Sequence, residues 1–170
     1  MMLTAVVIAF NEERNLPACL ESLRFCDEVI VVDSGSTDRT AELGRAAGAQ
    51  VLVKDWPGFV EQKNFALQQG KGEWLLSLDA DERVTPELRE HILSAVAAPD
   101  GRDGFSMPRL SSYLGRWIRH SGWYPDRKLR LVRRGRGLWE GAALHERLCG
   151  PGTVGRLTGD LLHFPFKDLS

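Results

Sequence analysis

The sequence predicts an α/β fold: a mostly parallel sheet with helices on both faces, followed by a mixed-sheet extension toward the C-terminus. Three observations predict it. First, short apolar runs recur through residues 1–100, separated by segments of helical character, and this alternation marks βαβ units. Second, the runs are apolar almost throughout rather than alternating with polar residues, as in strands covered on both faces. Third, the texture changes after Asp100, where Gly, Arg and Trp become frequent and helical periodicity fades.

Leu3 to Phe10 is the first strand. Glu12 to Phe25 is a helix whose regular part starts near Asn15 or Leu16, because Pro17 is tolerated only in a first turn. Cys19 and Cys26, seven apart, are expected to share its buried face. Glu28 to Val32 is the second strand, ending at Asp33. Ser34-Gly35-Ser36 is a turn, and Ser36 or Thr37 is expected to cap a helix running to about Ala47, stopped by Gly48. Gln50 to Val53 is the third strand, Gly58 to Gln69 a helix, and Glu73 to Leu78 the fourth strand. Thr85-Pro86-Glu87 opens a helix ending near Ala98, with Thr85 as its N-cap and Pro86 in its first position. Beyond it, Gly104–Met107, Lys128–Val132 and Leu157–Phe164 are strand-like. Residues 1–100 are expected to form one half of a single domain, and residues 101–170 an extension carrying substrate loops.

Composition narrows the class. A chain of 170 residues with 43% hydrophobic and 26% charged residues is ordinary for one globular domain. Three cysteines with no Cys-x-x-Cys pair argue against a disulfide scaffold or a zinc site and fit a reducing cytosol. No basic stretch precedes an apolar one at the N-terminus, so no signal peptide is expected. No apolar run approaches the ~18 residues of a spanning helix. The net charge of −1 hides an asymmetry. Residues 1–100 carry nine Lys/Arg against seventeen Asp/Glu, a net of −8; residues 101–170 carry thirteen against six, a net of +7. The second half therefore suits an anionic partner such as a diphosphate, a glycolipid, a membrane surface or nucleic acid.

The chemistry concentrates at strand ends. Phe10-Asn11-Glu12-Glu13 follows the first strand, Asp33-Ser34-Gly35-Ser36-Thr37-Asp38 the second, Asp55-Trp56 the third, and Asp79-Ala80-Asp81 the fourth. In an open α/β sheet these ends line one edge, where ligands bind. Residues two apart on a strand share a face, so Asp79 and Asp81 can converge if the backbone stays extended. Two carboxylates suit Mg²⁺ or Mn²⁺, whose remaining ligands are water and substrate phosphate. No Gly-x-Gly-x-x-Gly and no Gly-x-x-x-x-Gly-Lys-Ser/Thr follows a strand, which disfavours a dinucleotide site and removes a P-loop.

These stretches resemble family-2 glycosyltransferases of the GT-A, Rossmann-like fold, and within them the bacterial enzymes that add glucose-like sugars to the lipopolysaccharide core. The resemblance rests on Val7-Ile8-Ala9-Phe10-Asn11-Glu12, Val31 to Asp38, Gln62-Lys63-Asn64 and Leu78-Asp79-Ala80-Asp81-Glu82. Leu129-Arg130-Leu131, His145-Glu146-Arg147-Leu148 and Leu162-His163-Phe164 add less specific matches. It implies that Phe10, Asn11, Glu12 and Asp33, with the Ser34-Gly35-Ser36 turn, face the nucleotide, Asp33 lying near the uracil of a UDP-sugar. It implies that Asp81, with Asp79 through water, and His163 hold a divalent metal on the donor diphosphate, and that Lys63 lies near the donor. Such proteins commonly continue well beyond this length, so an acceptor-side or membrane-docking segment is expected further on.

Inverting transfer needs a base for the acceptor hydroxyl and charge stabilisation on the leaving diphosphate. Glu146 is the first candidate for the base, although His145-Glu146 departs from the Glu-Asp pair usual there; Asp126 is the second and Glu140 the third. Trp117, Trp123, Tyr124 and Trp139 interleave with Arg116, Arg119, Arg127, Arg130 and Arg133. Aromatic faces suit sugar rings and arginines suit phosphate, which favours an anionic glycolipid groove. The same mixture suits single-stranded nucleic acid, but the resemblance points away from a nucleic-acid partner. The expected protein is a cytoplasmic hexosyltransferase, peripheral at the inner face of the cytoplasmic membrane, that uses Mg²⁺ or Mn²⁺ and a nucleotide-sugar donor. A Mg²⁺-dependent phosphotransferase with Asp79 as nucleophile and a non-catalytic nucleotide-sugar-binding domain are the alternatives.

Overall fold

The computed structural model describes residues 2–113, 115–119, 124–142 and 145–165. Its centre is a ten-stranded sheet. Strand β1 (Leu3–Ala9) lies between β2 (Glu28–Asp33) and β4 (Trp74–Asp79), and β3 (Gln50–Val53) lies outside β2. All these neighbours are parallel. The sheet then turns mixed: β8 (Asp126–Arg133) pairs antiparallel to β4 and to β6 (Gly104–Tyr113), and β12 (Leu161–His163) runs parallel to β6. The short β5 (Glu82–Val84) closes that end, antiparallel to β12. Beside this path, β7 (Arg116–Trp117) and β11 (Val154–Arg156) pair with β6. A separate antiparallel pair joins β9 (Leu138–Glu140) to β10 (Arg147–Cys149).

Strand alternation sorts the apolar runs into two cores. Leu3, Ala5, Val7 and Ala9 of β1 face the cluster that includes Leu16 and Leu20 of α1 (Leu16–Ser22) and Leu88 and Ile92 of α4 (Pro86–Ala97). Val6 and Ile8 face the other way, toward Ala66 and Leu67 of α3 (Phe59–Gln69) and toward Trp139 and Leu148 of the β9–β10 pair. Helix α2 (Thr40–Ala46) lies on the α1 side, where Gly44 leaves no room: a Cβ there would come within 2.9 Å of Val51. No described helix is long and apolar enough to cross a membrane.

The structure changes several expected boundaries. Helix α1 ends at Ser22, so Cys26 lies beyond it, although Cys26 still packs against the cluster that buries Cys19. Helix α2 begins at Thr40 rather than after Ser36 or Thr37, because those residues are engaged by Asp33 and Asn11; Asp38 accepts instead from the Thr40 amide at 2.9 Å. The run from Leu157 to Phe164 is not one strand. Gly159 breaks it at φ +92°, against the first turn of α4, where a Cβ would lie 2.4 Å from the Leu88 nitrogen. Strand β6 continues past Met107 because Pro108 falls between its pairings with β11 and β12, where no amide is needed on that side. Strand β5 escaped the sequence reading because it is three residues long and its partner lies some eighty residues on.

Thr85 is the expected N-cap. Its hydroxyl accepts from the Leu88 amide at 3.4 Å and donates to the Asp160 carbonyl at 2.6 Å, tying α4 to the segment before β12. Thr85→Ala is expected to lower the unfolding free energy by about 1–2 kcal/mol, read from urea denaturation.

Candidate active site

The strand order reverses beside β1, with β2 and β3 on one side and β4 on the other. A crevice opens at such a switch point, outside the carboxyl ends of the strands. Here it is a cleft of about 540 Å³, lined by Phe10 and Glu12 after β1, Ser34 after β2, Trp56, Phe59, and the Asp79-Ala80-Asp81 turn after β4. Phe10 and Trp56 are 52% and 45% exposed within it, and Trp56 stands edge-on to Phe59 at 4.7 Å.

Asn11 and Asp33, expected to face the nucleotide, take hydrogen-bond partners in the turn after β2, beside this cleft. Asn11 sits at φ +50°, its amide donates to the Ser36 hydroxyl at 2.8 Å, and its side-chain oxygen accepts from the Thr37 amide at 2.8 Å. Asp33 is buried and takes the Ser36 amide at 3.1 Å together with the Ser36 hydroxyl. Gln62 reaches the same turn from α3, donating to the Ser34 hydroxyl at 3.2 Å, and also donates to the Lys54 carbonyl at 3.1 Å.

Asp79 and Asp81 have different partners, because the chain leaves β4 at Asp79 and turns into β5. Asp79 meets Lys63, with Nζ 3.2 Å from Oδ1. Asp81 meets His163, with Nε2 3.4 Å from Oδ2, and the ring's Nδ1 lies 3.0 Å from the Ser111 hydroxyl. The other Asp81 oxygen, Oδ1, is buried with no hydrogen-bond partner. An orphaned carboxylate oxygen beside an imidazole nitrogen fits a divalent cation that completes its shell from outside the protein. Among the described residues no group of three or more His, Cys, Asp or Glu side chains could hold a metal alone.

Lys63 is 4% exposed and reaches a second carboxylate, Glu146 Oε1, at 3.3 Å. Glu146 Oε2 is buried and unpartnered. Burial alone would push the Asp79 carboxyl up, but Lys63 and Arg130, with His163, outweigh it and hold the group below the usual carboxylate range. Arg130 is buried too. It pairs with Glu82, whose Oε1 accepts from the Asp79 amide at 2.9 Å. Burial opposes the guanidinium charge, and Glu82 and Asp79 more than restore it.

Trp139 holds this arrangement together. It is 3% exposed, and Lys63 and Arg130 lie 4.1 and 5.6 Å from its ring. Its indole donates to the Ser77 hydroxyl at 3.1 Å. The Asn64 side chain binds its backbone twice, donating to the carbonyl at 2.9 Å and accepting from the amide at 2.8 Å. Helix α3 thereby fastens the β9–β10 pair, and the Glu146 that precedes β10, over the end of β4.

The other candidates sit differently. Asp126 is held by Arg109 at 3.1 Å and Lys128 at 3.4 Å, and Arg109 also lies 3.5 Å from Glu82. Glu140 is exposed on β9, opposite Arg147. The expected aromatic and arginine groove divides: Trp139 and Arg130 are in the core, Tyr124 donates to Asp160 at 2.7 Å, and Trp117 is exposed. Trp123 lies outside the described residues. Sequence reading missed Phe59, Ser111 and the Glu82–Arg130 pair. Trp56, by contrast, stands in the Asp55-Trp56 cluster already read at the end of the third strand.

The comparisons with known proteins agree with this geometry. The model of the family described as glycosyl transferase family 2 matches residues 4–146. The chain is 40% identical over 169 residues to the lipopolysaccharide core biosynthesis glycosyltransferase LpsC of Rhizobium meliloti, covering 95% of this chain and 63% of LpsC. It is 43% identical over 91 residues to an uncharacterised glycosyltransferase of Rickettsia bellii, covering 53% of this chain and 31% of that protein. Among solved structures, S. aureus TarS 1–349 in complex with UDP-GlcNAc superposes with a TM-score of 0.69 at 19% identity, covering 99% of this chain and 60% of that one. Glucosyl-3-phosphoglycerate synthase of Mycobacterium tuberculosis, solved with Mn²⁺, UDP and glucosyl-3-phosphoglycerate, gives 0.67 at 18% identity, covering 99% and 73%. The fold is that of GT-A glycosyltransferases. The chain belongs to glycosyl transferase family 2, and it spans 63% of the length of LpsC and about a third of the rickettsial relative.

Glu82 would be left as a buried charge short of its main partner in Arg130→Met. That substitution is expected to cost about 3–5 kcal/mol in chemical denaturation, and Arg130→Met with Glu82→Gln is expected to recover part of the loss.

Proposed function

We propose that this chain is the donor-binding and catalytic part of an inverting glycosyltransferase that moves a hexose, most simply glucose, from a UDP-sugar to a lipopolysaccharide-core or other cell-surface glycolipid. The observation that carries the reading is the orphaned Asp81 oxygen beside His163, at the rim of the switch-point cleft. Asp81 and His163 are the side chains that would hold Mg²⁺ or Mn²⁺. When bound, such an ion neutralises the charge that develops on the leaving diphosphate.

The residues of the chain supply the rest. Phe10 and Trp56 offer aromatic surface to the planar base, while Asn11 and Asp33 hold the turn after β2 beside it. Lys63 keeps Asp79 ionised at the end of β4 and places Glu146 above it. The free Glu146 oxygen takes the proton of the acceptor hydroxyl as that oxygen attacks the anomeric carbon and the nucleoside diphosphate departs. Asp126 suits this role less well, because both its oxygens are ion-paired. The phosphotransferase alternative needs Asp79 free to attack, whereas Lys63 engages it. The glycolipid acceptor rests on the 40% identity to LpsC and on the positive charge of the second half.

Calorimetry with UDP, GDP, ADP and CMP is expected to show binding of UDP that requires Mn²⁺ or Mg²⁺ and disappears in Asp81→Ala. Binding of no nucleotide by the folded chain would overturn the reading. Glu146→Gln is expected to keep UDP affinity and to lower turnover by roughly 10²–10⁴-fold; unchanged turnover would remove Glu146 as the base.

A further inference from the structure

Strand β6 outruns the sheet. Among the described residues, its last two, Ser112 and Tyr113, pair only with Trp117 and Arg116 of β7, forming a two-stranded tip with Gly115 at φ +77°. This tip buries little of its own surface, yet it carries large side chains. Tyr113 is 45% exposed and Trp117 40%, and Arg116 and Arg119 are exposed beside them. The register pairs Tyr113 with Arg116 and Ser112 with Trp117, so the two aromatics project from opposite faces of the tip, Tyr113 beside Arg116. Tyr and Trp beside Arg is the composition that settles at the boundary between lipid headgroups and acyl chains.

The tip is joined to the candidate site. Trp117 stands edge-on to Phe164 at 5.3 Å, and the Arg83 guanidinium lies 3.9 Å from the centre of the Phe164 ring. Phe164 donates its amide to the Asp81 carbonyl at 2.9 Å. Ser111, two residues before Tyr113 on the same strand, contacts His163. At roughly 3.3 Å per residue, the end of the tip lies on the order of 10–15 Å from the Asp81–His163 pair. The charge of the tip is also complementary to an anionic surface: Arg116 and Arg119 are exposed there, Arg119 with Asp160 at 4.0 Å.

We propose that the β6–β7 tip, through Tyr113, Arg116, Trp117 and Arg119, docks this chain onto an anionic lipid bilayer and so presents the Asp81–His163 edge of the cleft to acceptors held in that bilayer. The proposal rests on the reading of the acceptor as a membrane-borne glycolipid. Docking is set by side chains that take no part in donor binding, so the two readings can fail separately.

The test is sedimentation of the chain with vesicles of phosphatidylcholine alone and with 30% phosphatidylglycerol, alongside calorimetry with UDP and Mn²⁺. Wild type is expected to bind only the anionic vesicles. Trp117→Ala with Tyr113→Ser, and Arg116→Gln with Arg119→Gln, are each expected to weaken vesicle binding at least tenfold, with circular dichroism unchanged. Equal vesicle binding by wild type and both variants would overturn the proposal, and so would failure of the folded wild type to bind anionic vesicles. Tighter binding to a single-stranded oligonucleotide than to vesicles would replace it with a nucleic-acid surface. Displacement from vesicles by millimolar inorganic phosphate at constant ionic strength would replace it with a site for free phosphate. Vesicle binding lost in the variants, in a chain that binds no nucleotide, would uphold docking and overturn the transferase reading.

Discussion

Asp79 and Glu82 are carboxylates largely withdrawn from water at the end of β4, and Lys63 and Arg130 are buried to meet them. Removing such charges from water is costly unless each is paired and hydrogen-bonded. Much of the surrounding structure satisfies that condition. Trp139 gives both cations an aromatic surface, Asn64 fixes Trp139, and Ser77 takes its indole proton. Glu146 is the second anion that Lys63 reaches, so the electrostatic pairing at β4 also places the candidate base.

With Asp79 paired to Lys63, and Glu82 to Arg130 and Arg109, Asp81 keeps a buried oxygen, Oδ1, that has no hydrogen-bond partner. The neighbouring carboxylates are thus divided in their tasks. Asp79 and Glu82 order the turn, and Asp81 faces outward toward His163. The strand order explains why this happens at a cleft: β1 and β4 lead to opposite sides of the switch point, and β12, entering much later in the chain, brings His163 to the same edge.

The parallel core was legible in the sequence because its strands are continuous apolar runs and its helices carry strong local signals, such as Thr85-Pro86 before α4. The acidic strand ends were legible for the same reason, since the position of a strand fixes where its end falls. The pairings among them were not. Lys63 with Glu146, Arg130 with Glu82 and Asn64 with Trp139 join residues 83, 48 and 75 positions apart, and no local pattern encodes such partners. Strand alternation reaches Asp81 only if the backbone stays extended, and β4 ends two residues earlier at Asp79, so the two carboxylates take different partners. Capping α2 at Ser36 or Thr37 failed because those groups are claimed by a neighbouring strand end, a tertiary demand that local propensity does not contain.

The measurement that tests this account most directly is anomalous diffraction from crystals of the chain soaked with Mn²⁺ and UDP. The account predicts one manganese peak between the Asp81 carboxylate and His163 Nε2, with Asp79 still paired to Lys63. A peak coordinated by Asp79 with Lys63 displaced, or density for UDP in the cleft with no manganese at Asp81, would contradict it.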